Sequence, residues 1–137
     1  MNQLSGQITD VESNGFVSLV DVAVGTDTFT ATLLENHASA PYLAVGNAVR
    51  VLFKETEVSL AKNLAGQISL RNRIKGMVKH IRRGEIFSEV ALDYQGQMVI
   101  SIITTRAVKR LELQEGDEVE ALVKANEVSL LEMPDEL

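Results

Sequence analysis

The chain has 137 residues and a mass of 15.0 kDa, and its 45% apolar and 23% charged content is typical of a globular protein. It has no cysteine and two histidines, which excludes disulfides, iron–sulfur clusters, thiol nucleophiles and multi-histidine metal centres. The formal net charge of -6 disfavours a general nucleic-acid binder, because the phosphate backbone favours a basic protein face. No apolar run approaches the ~20 residues that span a bilayer, and the first residues lack the pattern of a secretory signal. We therefore expect a cytoplasmic protein without a membrane segment.

The first half of the chain predicts three strands, a turn or short helix, and two more strands. Apolar alternation and turn residues place the strands at 4–11, 16–24, 28–33, 48–54 and 58–60. The turn or helix falls near residues 36–40, and Pro41 ends it because proline cannot continue a helix.

The second half predicts the same order of elements. The strands fall at 74–82, 86–94, 97–103, 118–125 and 128–131. Thr104 or Thr105 offers an N-cap to a short helix over residues 106–111, whose late basic residues suit a helix C-terminus. Three strands, a short helix and two strands are the order of the five-stranded OB-type barrel.

The two halves form a tandem repeat. A shift of 70 residues aligns them without a gap and gives thirteen identities, including Glu57-Val58-Ser59-Leu60, which recurs at 127–130. The predicted fold is all-β with short helices, in which two tandem five-stranded OB-like barrels cover residues 1–67 and 68–137. Because one unit of this size has a marginal core, we expect the chain to form a homo-oligomer.

Motifs that carry catalysis are absent from the sequence. It has no Gly-rich phosphate loop ending in Lys-Ser or Lys-Thr, no Gly-x-Ser-x-Gly and no His-Glu-x-x-His. The carboxylates fall mostly in turns, where solvated surface positions are the ordinary interpretation. We expect no enzyme activity, no catalytic residue, no cofactor and no metal-ion site.

Small hydroxyl donors and isolated cations stand at the predicted element ends of the second half. Ser69 and Arg71 precede its first strand, Thr104 opens its helix, and Lys124 ends its fourth strand. Hydroxyls, helix N–H groups and one or two cations suit a small dianion. Each residue could equally be a helix cap or an ordinary surface charge. The residues alone therefore leave two interpretations open, a dianion site and a surface without a ligand.

The second half resembles the molbindin or Mop domain, which belongs to the TOBE group of OB-fold modules. Ser69-Leu70-Arg71-Asn72 is similar to the family's opening Ser-Ala-Arg-Asn, Ile103-Thr104 to its Val-Thr, and Lys124-Ala125 to its Lys-Ala. The resemblance implies binding of molybdate or tungstate without catalysis, at sites between Mop domains of associated subunits. The oxyanion-binding residues that it implies are Ser69, Leu70, Arg71, Thr104, Ala107, Lys124 and Ala125.

In that family, paired Mop domains occur alone as molybdate binders or attached to transcription regulators. No DNA-binding helix pair precedes the first strand here, so storage or buffering is expected ahead of sensing. The first half departs from the pattern, with Leu34, Glu35, His37 and Glu55 at the positions of Thr104, Thr105, Ala107 and Ala125. Lys54 matches Lys124 and is a weaker candidate. We expect the first repeat to be mainly scaffold, because a carboxylate at residue 35 repels a dianion.

Two other functions compete with oxyanion binding. One is a TOBE-type interaction or regulatory module without an anion site, and the other is an OB-fold binder of single-stranded nucleic acid. The stretch from Lys62 to Arg83 holds seven of the thirteen Lys and Arg residues and no acidic residue. Its charges either lie on the surface and balance the acidic rest of the protein, or create a positive field that concentrates anions near the site. Single-strand binding is disfavoured because aromatics are 4% of the chain and Phe87 and Tyr94 are predicted core residues.

Overall fold

The computed structural model describes residues 1–133 and contains ten β-strands, most of which alternate buried and exposed side chains. The last four residues of the predicted second domain, 134–137, lie outside the described residues. The strands are β1 (Asn2–Asn14), β2 (Val17–Val24), β3 (Asp27–Leu33), β4 (Ala48–Phe53), β5 (Ser59–Ala61), β6 (Asn72–Arg83), β7 (Phe87–Tyr94), β8 (Gln97–Thr104), β9 (Glu118–Val123) and β10 (Ser129–Glu132). One α-helix, α1, spans Thr105–Arg110, and single-turn 3-10 helices cover Glu55–Glu57 and Ala125–Glu127.

The strands form two five-stranded antiparallel sheets, which confirms the predicted fold class. The first sheet has the order β10-β4-β1-β2-β3, and the second has the order β5-β9-β6-β7-β8. Each repeat therefore gives its last strand to the sheet of the other: Ser129 pairs with Leu52, and Ser59 pairs with Leu122. The predicted boundary between residues 67 and 68 lies in the segment between β5 and β6, after the first of these exchanged strands.

Buried valines anchor the two exchanged strands. Val58 and Val128 precede β5 and β10 and are almost fully buried, and complete burial of such a side chain stabilises by roughly 1.5–3 kcal/mol. The Ser101 hydroxyl in β8 donates to the Val58 carbonyl at 2.7 Å. As a result, the core is one continuous apolar cluster that includes residues of both repeats.

Two glycines shared by the repeats allow the first strand of each repeat, β1 or β6, to curl. A Cβ on Gly6 would lie 2.5 Å from Val22 Cγ1, and a Cβ on Gly76 would lie 3.1 Å from the Asp93 carbonyl oxygen. A register shift follows at Ile8–Asp10 in β1 and at the matching place in β6. A bulge of this kind bends a strand and increases its twist.

Tyr94 joins the end of the β7–β8 hairpin to the end of the β2–β3 hairpin. Its hydroxyl donates to Asp27 Oδ2 at 2.6 Å and lies 3.2 Å from the Val24 carbonyl oxygen of the first repeat. Burial, followed by the hydrogen bond to the Asp27 carboxylate, raises the pKa of Tyr94 above its ordinary value. The prediction that Tyr94 belongs to the core is confirmed.

Replacing Tyr94 with phenylalanine should weaken the junction between the repeats. The ring remains, but Asp27 loses a charge-assisted hydrogen bond, and such bonds contribute about 1.5–3 kcal/mol. We expect the urea midpoint of unfolding to fall with an unchanged slope, measured by circular dichroism. Tyr42→Phe is the matched control, because Tyr42 is only half-buried and its hydroxyl makes no hydrogen bond within residues 1–133. An equal loss in both variants would contradict the role assigned to the Tyr94 hydroxyl.

One predicted core residue is exposed, and the two repeats differ where the second one forms a helix. Phe87 was predicted to lie in the core, which is wrong: its side chain is 60% exposed at the start of β7. Its strand alternates as predicted, but its first residue lies on the outer face. In the first repeat, residues 36–42 form turns, whereas the second repeat has α1 at the matching place.

Candidate functional site

Two cations stand at neighbouring strand ends of the second sheet. Arg71 immediately precedes β6 and Lys124 immediately follows β9, and the last pair of that ladder joins Asn72 to Val123. Arg71 and Lys124 are therefore the next residues in the chain beyond the last pair of this ladder. Ser69, Leu70, Arg71, Lys124 and Ala125 are called the basic half-site. These are five of the seven predicted site residues, grouped by their chain positions next to the two strand ends.

The charges of the basic half-site are not balanced within residues 1–133. Arg71 and Lys124 are both exposed and form no ion pair among the described residues. Two like charges at adjacent strand positions repel each other. An anion between them removes that repulsion, so this half-site favours an anionic ligand.

Other cations of the basic stretch have carboxylate partners, which supports the interpretation that they balance the acidic body. Lys62 pairs with Asp117 at 3.1 Å, and Arg73 pairs with Glu120 at 2.9 Å. The Arg73 guanidinium lowers the pKa of Glu120. The Gln114 backbone N–H and then Lys62 lower the pKa of Asp117. Lys75 and Arg82 pair with Glu118 and Glu89.

Thr104 and Ala107, called the threonine half-site, lie at the start of α1. Thr104 is the N-cap, and its Oγ1 accepts the Ala107 N–H at 3.1 Å. Because Oγ1 acts as an acceptor there, the Thr104 hydroxyl proton can be donated to an external oxygen. The Ala107 N–H is already used, so its contact with an anion requires the cap bond to be replaced.

Cations surround the threonine half-site. Thr104 and Ala107 line a shallow depression together with Arg106, Lys109 and Arg110. Thr105, the alternative cap, is buried: it donates to the Gly84 carbonyl at 2.8 Å, and the Ser88 hydroxyl lies 2.8 Å from its Oγ1. Thr104 is therefore the hydroxyl that α1 presents at the surface.

The two half-sites of the second repeat lie at opposite ends of its sheet. Thr104 pairs with Phe87 in the β7–β8 ladder, and the next residue, Ser88, pairs with Arg83, the last residue of β6. Arg71, in contrast, precedes the first residue of β6. A strand rises about 3.3 Å per residue, so the twelve residues of β6 separate these ends by roughly 36 Å along the strand. One repeat cannot close both half-sites on a single small anion.

The first repeat lacks the donors of the threonine half-site. Leu34, at the position of Thr104, is 82% exposed. The Asn36 N–H donates to Ser39 Oγ and the Ser39 N–H donates to Asn36 Oδ1, both at 3.0 Å. These N–H groups of the turn are therefore already used. His37 Nδ1 lies 3.2 Å from the Leu43 carbonyl oxygen. This end of the first repeat offers an apolar surface and the Glu35 carboxylate.

The other end of the first repeat carries one cation of the expected pair. Lys54 is exposed after β4, but the position of Arg71 is taken by Met1. The Met1 ammonium contacts the Glu55 carboxylate, and this hydrogen bond lowers the pKa of Glu55. The charge pattern therefore differs from that of the basic half-site.

Two asparagines that sequence reasoning did not assign join the repeats. Asn72 Nδ2 donates to the Thr30 carbonyl at 2.9 Å, and its Oδ1 accepts the Thr30 N–H at 2.7 Å. Asn2 bonds the Ile100 carbonyl and N–H in the same way, both at 2.8 Å. The signal in the sequence was the identity of residues 2 and 72 across the repeat.

The fold and the divided polar surface define a tandem β-barrel module of the OB type. The chain belongs to the TOBE domain family, whose model matches residues 1–60 and 68–130. Membership confirms the resemblance seen in Ser69–Asn72 and Lys124–Ala125. Within residues 1–133, no helix combines the length and apolar character needed to cross a membrane.

Similar proteins include molybdenum proteins of several bacteria. The molybdenum transport protein ModE of Herbaspirillum seropedicae is 29% identical over 127 residues, which are 90% of this chain and 47% of ModE. This chain thus spans about half of that relative. Molybdenum-pterin-binding protein 1 of Clostridium pasteurianum is 38% identical over 65 residues, 47% of this chain and 96% of that protein. The crystal structure of the cytoplasmic molybdate-binding protein ModG with molybdate bound matches with a TM-score of 0.90 and 31% identity, over 96% of both chains.

Proposed function

We propose that this chain binds molybdate or tungstate in the cytoplasm and holds the oxyanion for storage, buffering or sensing, without transforming it. Support comes from the likeness to ModG, which was solved with molybdate bound and covers nearly the whole chain. The donors in the second repeat suit a tetrahedral dianion, because they comprise two cations and a hydroxyl. The same donors serve molybdate and tungstate.

The observation that carries this proposal is the division of the site into two half-sites. Arg71 and Lys124 supply positive charge at one end of the sheet, and Thr104 supplies a hydroxyl at the other. A cage closes when the threonine half-site of one copy meets the basic half-site of another. The proposal therefore includes a homo-oligomer in which each copy contributes to its neighbour's site.

Apolar side chains beside Thr104 support contact with another copy. Ile86 and Phe87 are 68% and 60% exposed, and Ile86 shares a depression with Thr104. Exposed apolar groups rimmed by polar residues are typical of protein–protein contact surfaces. Burying them in an interface also excludes water from the anion, which strengthens its contacts with the cations.

Replacing Phe87 with serine should weaken self-association and anion binding together. We expect sedimentation velocity to show a smaller species at low micromolar concentration and the apparent molybdate affinity to fall with it. Met98→Ser is the matched control, because Met98 is 56% exposed at the hairpin between β7 and β8, far from Thr104. Unchanged association of the Phe87 variant would contradict an interface at this surface.

Calorimetric titration with sodium molybdate, in buffer containing excess sulfate, tests the proposed function. Sulfate saturates unselective anion binding, so the remaining heat reports a selective site. We expect saturable heat with one site per chain or fewer, since the first repeat lacks Arg71 and Thr104 equivalents. Two equivalent sites per chain would refute the scaffold role of the first repeat. An absence of heat from the folded protein would refute oxyanion binding and favour the interaction module.

A further inference from the structure

We propose that Asn72 is a positioning residue of the anion site, acting through Arg71 and Lys124. This inference rests on the proposed function. Asn72 itself offers nothing to an anion, because its side chain is only 1% exposed and both ends of its amide are bonded to Thr30. Its effect comes from where those bonds hold the chain.

Thr30 lies in β3, an edge strand of the first sheet. An edge strand presents unpaired backbone N–H and C=O groups. The Asn72 amide satisfies one group of each kind, and thereby acts like one residue of an additional strand. The start of β6 is consequently fixed to the other repeat, at the junction of the two sheets.

Both cations of the basic half-site adjoin this fixed point. Arg71 is the chain neighbour of Asn72, and Lys124 follows Val123, the ladder partner of Asn72. Residues 62–71 form no helix or strand, so the backbone of Arg71 is held from one side only. The Asn72 amide therefore fixes the first residue of β6 against the other repeat, and it supports the two cations together with the β6–β9 ladder that pairs Asn72 with Val123.

The first repeat provides the same bonds without the same cations. Asn2 bonds Ile100 with equal geometry, and its ladder partner Phe53 precedes Lys54. Its chain neighbour, however, is Met1, which contacts Glu55. Loss of either asparagine breaks two hydrogen bonds at the junction, but only Asn72 adjoins both Arg71 and Lys124.

The test compares Asn72→Ala with Asn2→Ala by molybdate calorimetry and urea unfolding of the full chain. We expect both variants to lose a similar free energy of unfolding. Only Asn72→Ala should raise the molybdate Kd, on the order of tenfold, which is the effect typical of replacing a residue that supports the ligands of a bound ion. Equal Kd values in the two variants would overturn the inference. If Asn72→Ala does not fold, Thr30→Pro removes the N–H donor from the other side, since proline is tolerated on an edge strand.

A double-mutant cycle with Arg71→Ala separates positioning from a general structural effect. The Kd of Arg71→Ala remains measurable, because Lys124 and the threonine half-site are intact. If Asn72 acts through its neighbours, adding Asn72→Ala to that variant should change the Kd much less than it does in the natural protein. Full additivity would overturn positioning of Arg71. If Arg71→Ala binds molybdate normally, the proposed site itself fails, and the inference fails with it.

Discussion

Alanine at both Arg71 and Lys124 should abolish measurable molybdate binding while the protein stays folded and assembled. In the proposed site each cation supplies a charge-assisted hydrogen bond to the dianion, and such bonds contribute about 1.5–3 kcal/mol. Each single replacement should therefore weaken binding roughly ten- to a hundredfold, since 1.4 kcal/mol corresponds to tenfold. Calorimetry gives the affinity, and sedimentation gives the assembly.

The fold tolerates these changes because neither side chain supports it. Both are exposed and form no ion pair among the described residues, so their loss leaves no buried group without a partner. Lys79→Ala is the matched control, because Lys79 is an exposed cation within the same strand, seven residues beyond Asn72. If Lys79→Ala weakens binding as much as Arg71→Ala, the affinity comes from overall charge, and the basic half-site is wrongly assigned.

Local patterns in the sequence predicted most of the fold. Strands are visible in alternation, and the Thr104 cap is visible because an N-cap needs a hydroxyl next to a helix start. The exchange of β5 and β10 was not predictable in this way. Residues 57–60 and 127–130 have the same sequence, so each segment fits either sheet equally well. Only the geometry of the whole chain selects the sheet of the other repeat.

The donors of the candidate site stand out in the sequence, and the resemblance implied sites between subunits, but the strand pairing that separates the donors is not visible in local patterns. Arg71, Thr104 and Lys124 stand out by chemical type and by similarity to the Mop pattern. That Thr104 lies at the opposite end of the sheet depends on strand pairing, which connects residues far apart in sequence. The role of Asn72 was missed for the same reason, since its partner Thr30 is 42 residues away and belongs to the other repeat.

A mixture of two variants that each lack one half-site should recover high-affinity molybdate binding. Arg71→Ala combined with Lys124→Ala removes the basic half-site, and Thr104→Val removes the hydroxyl of the threonine half-site in a second variant. When the two are unfolded and refolded together, a site is complete wherever an intact threonine half-site meets an intact basic half-site. Random pairing of equal amounts gives about one quarter of the natural number of sites, because each half is intact in half of the copies.

Thr104→Ser is the control for the threonine variant, because serine keeps both the hydroxyl and the N-cap of α1. It should bind molybdate with near-natural affinity, whereas Thr104→Val should bind roughly ten- to a hundredfold more weakly, since one hydrogen bond to the dianion is lost. Mixing without refolding controls for exchange between assembled oligomers. A site closed within one chain has both halves in the same copy, so mixing would then restore nothing. Recovered binding near one quarter of the natural stoichiometry can arise only if neighbouring copies share each site, and this ties the oxyanion affinity of the protein to its assembly.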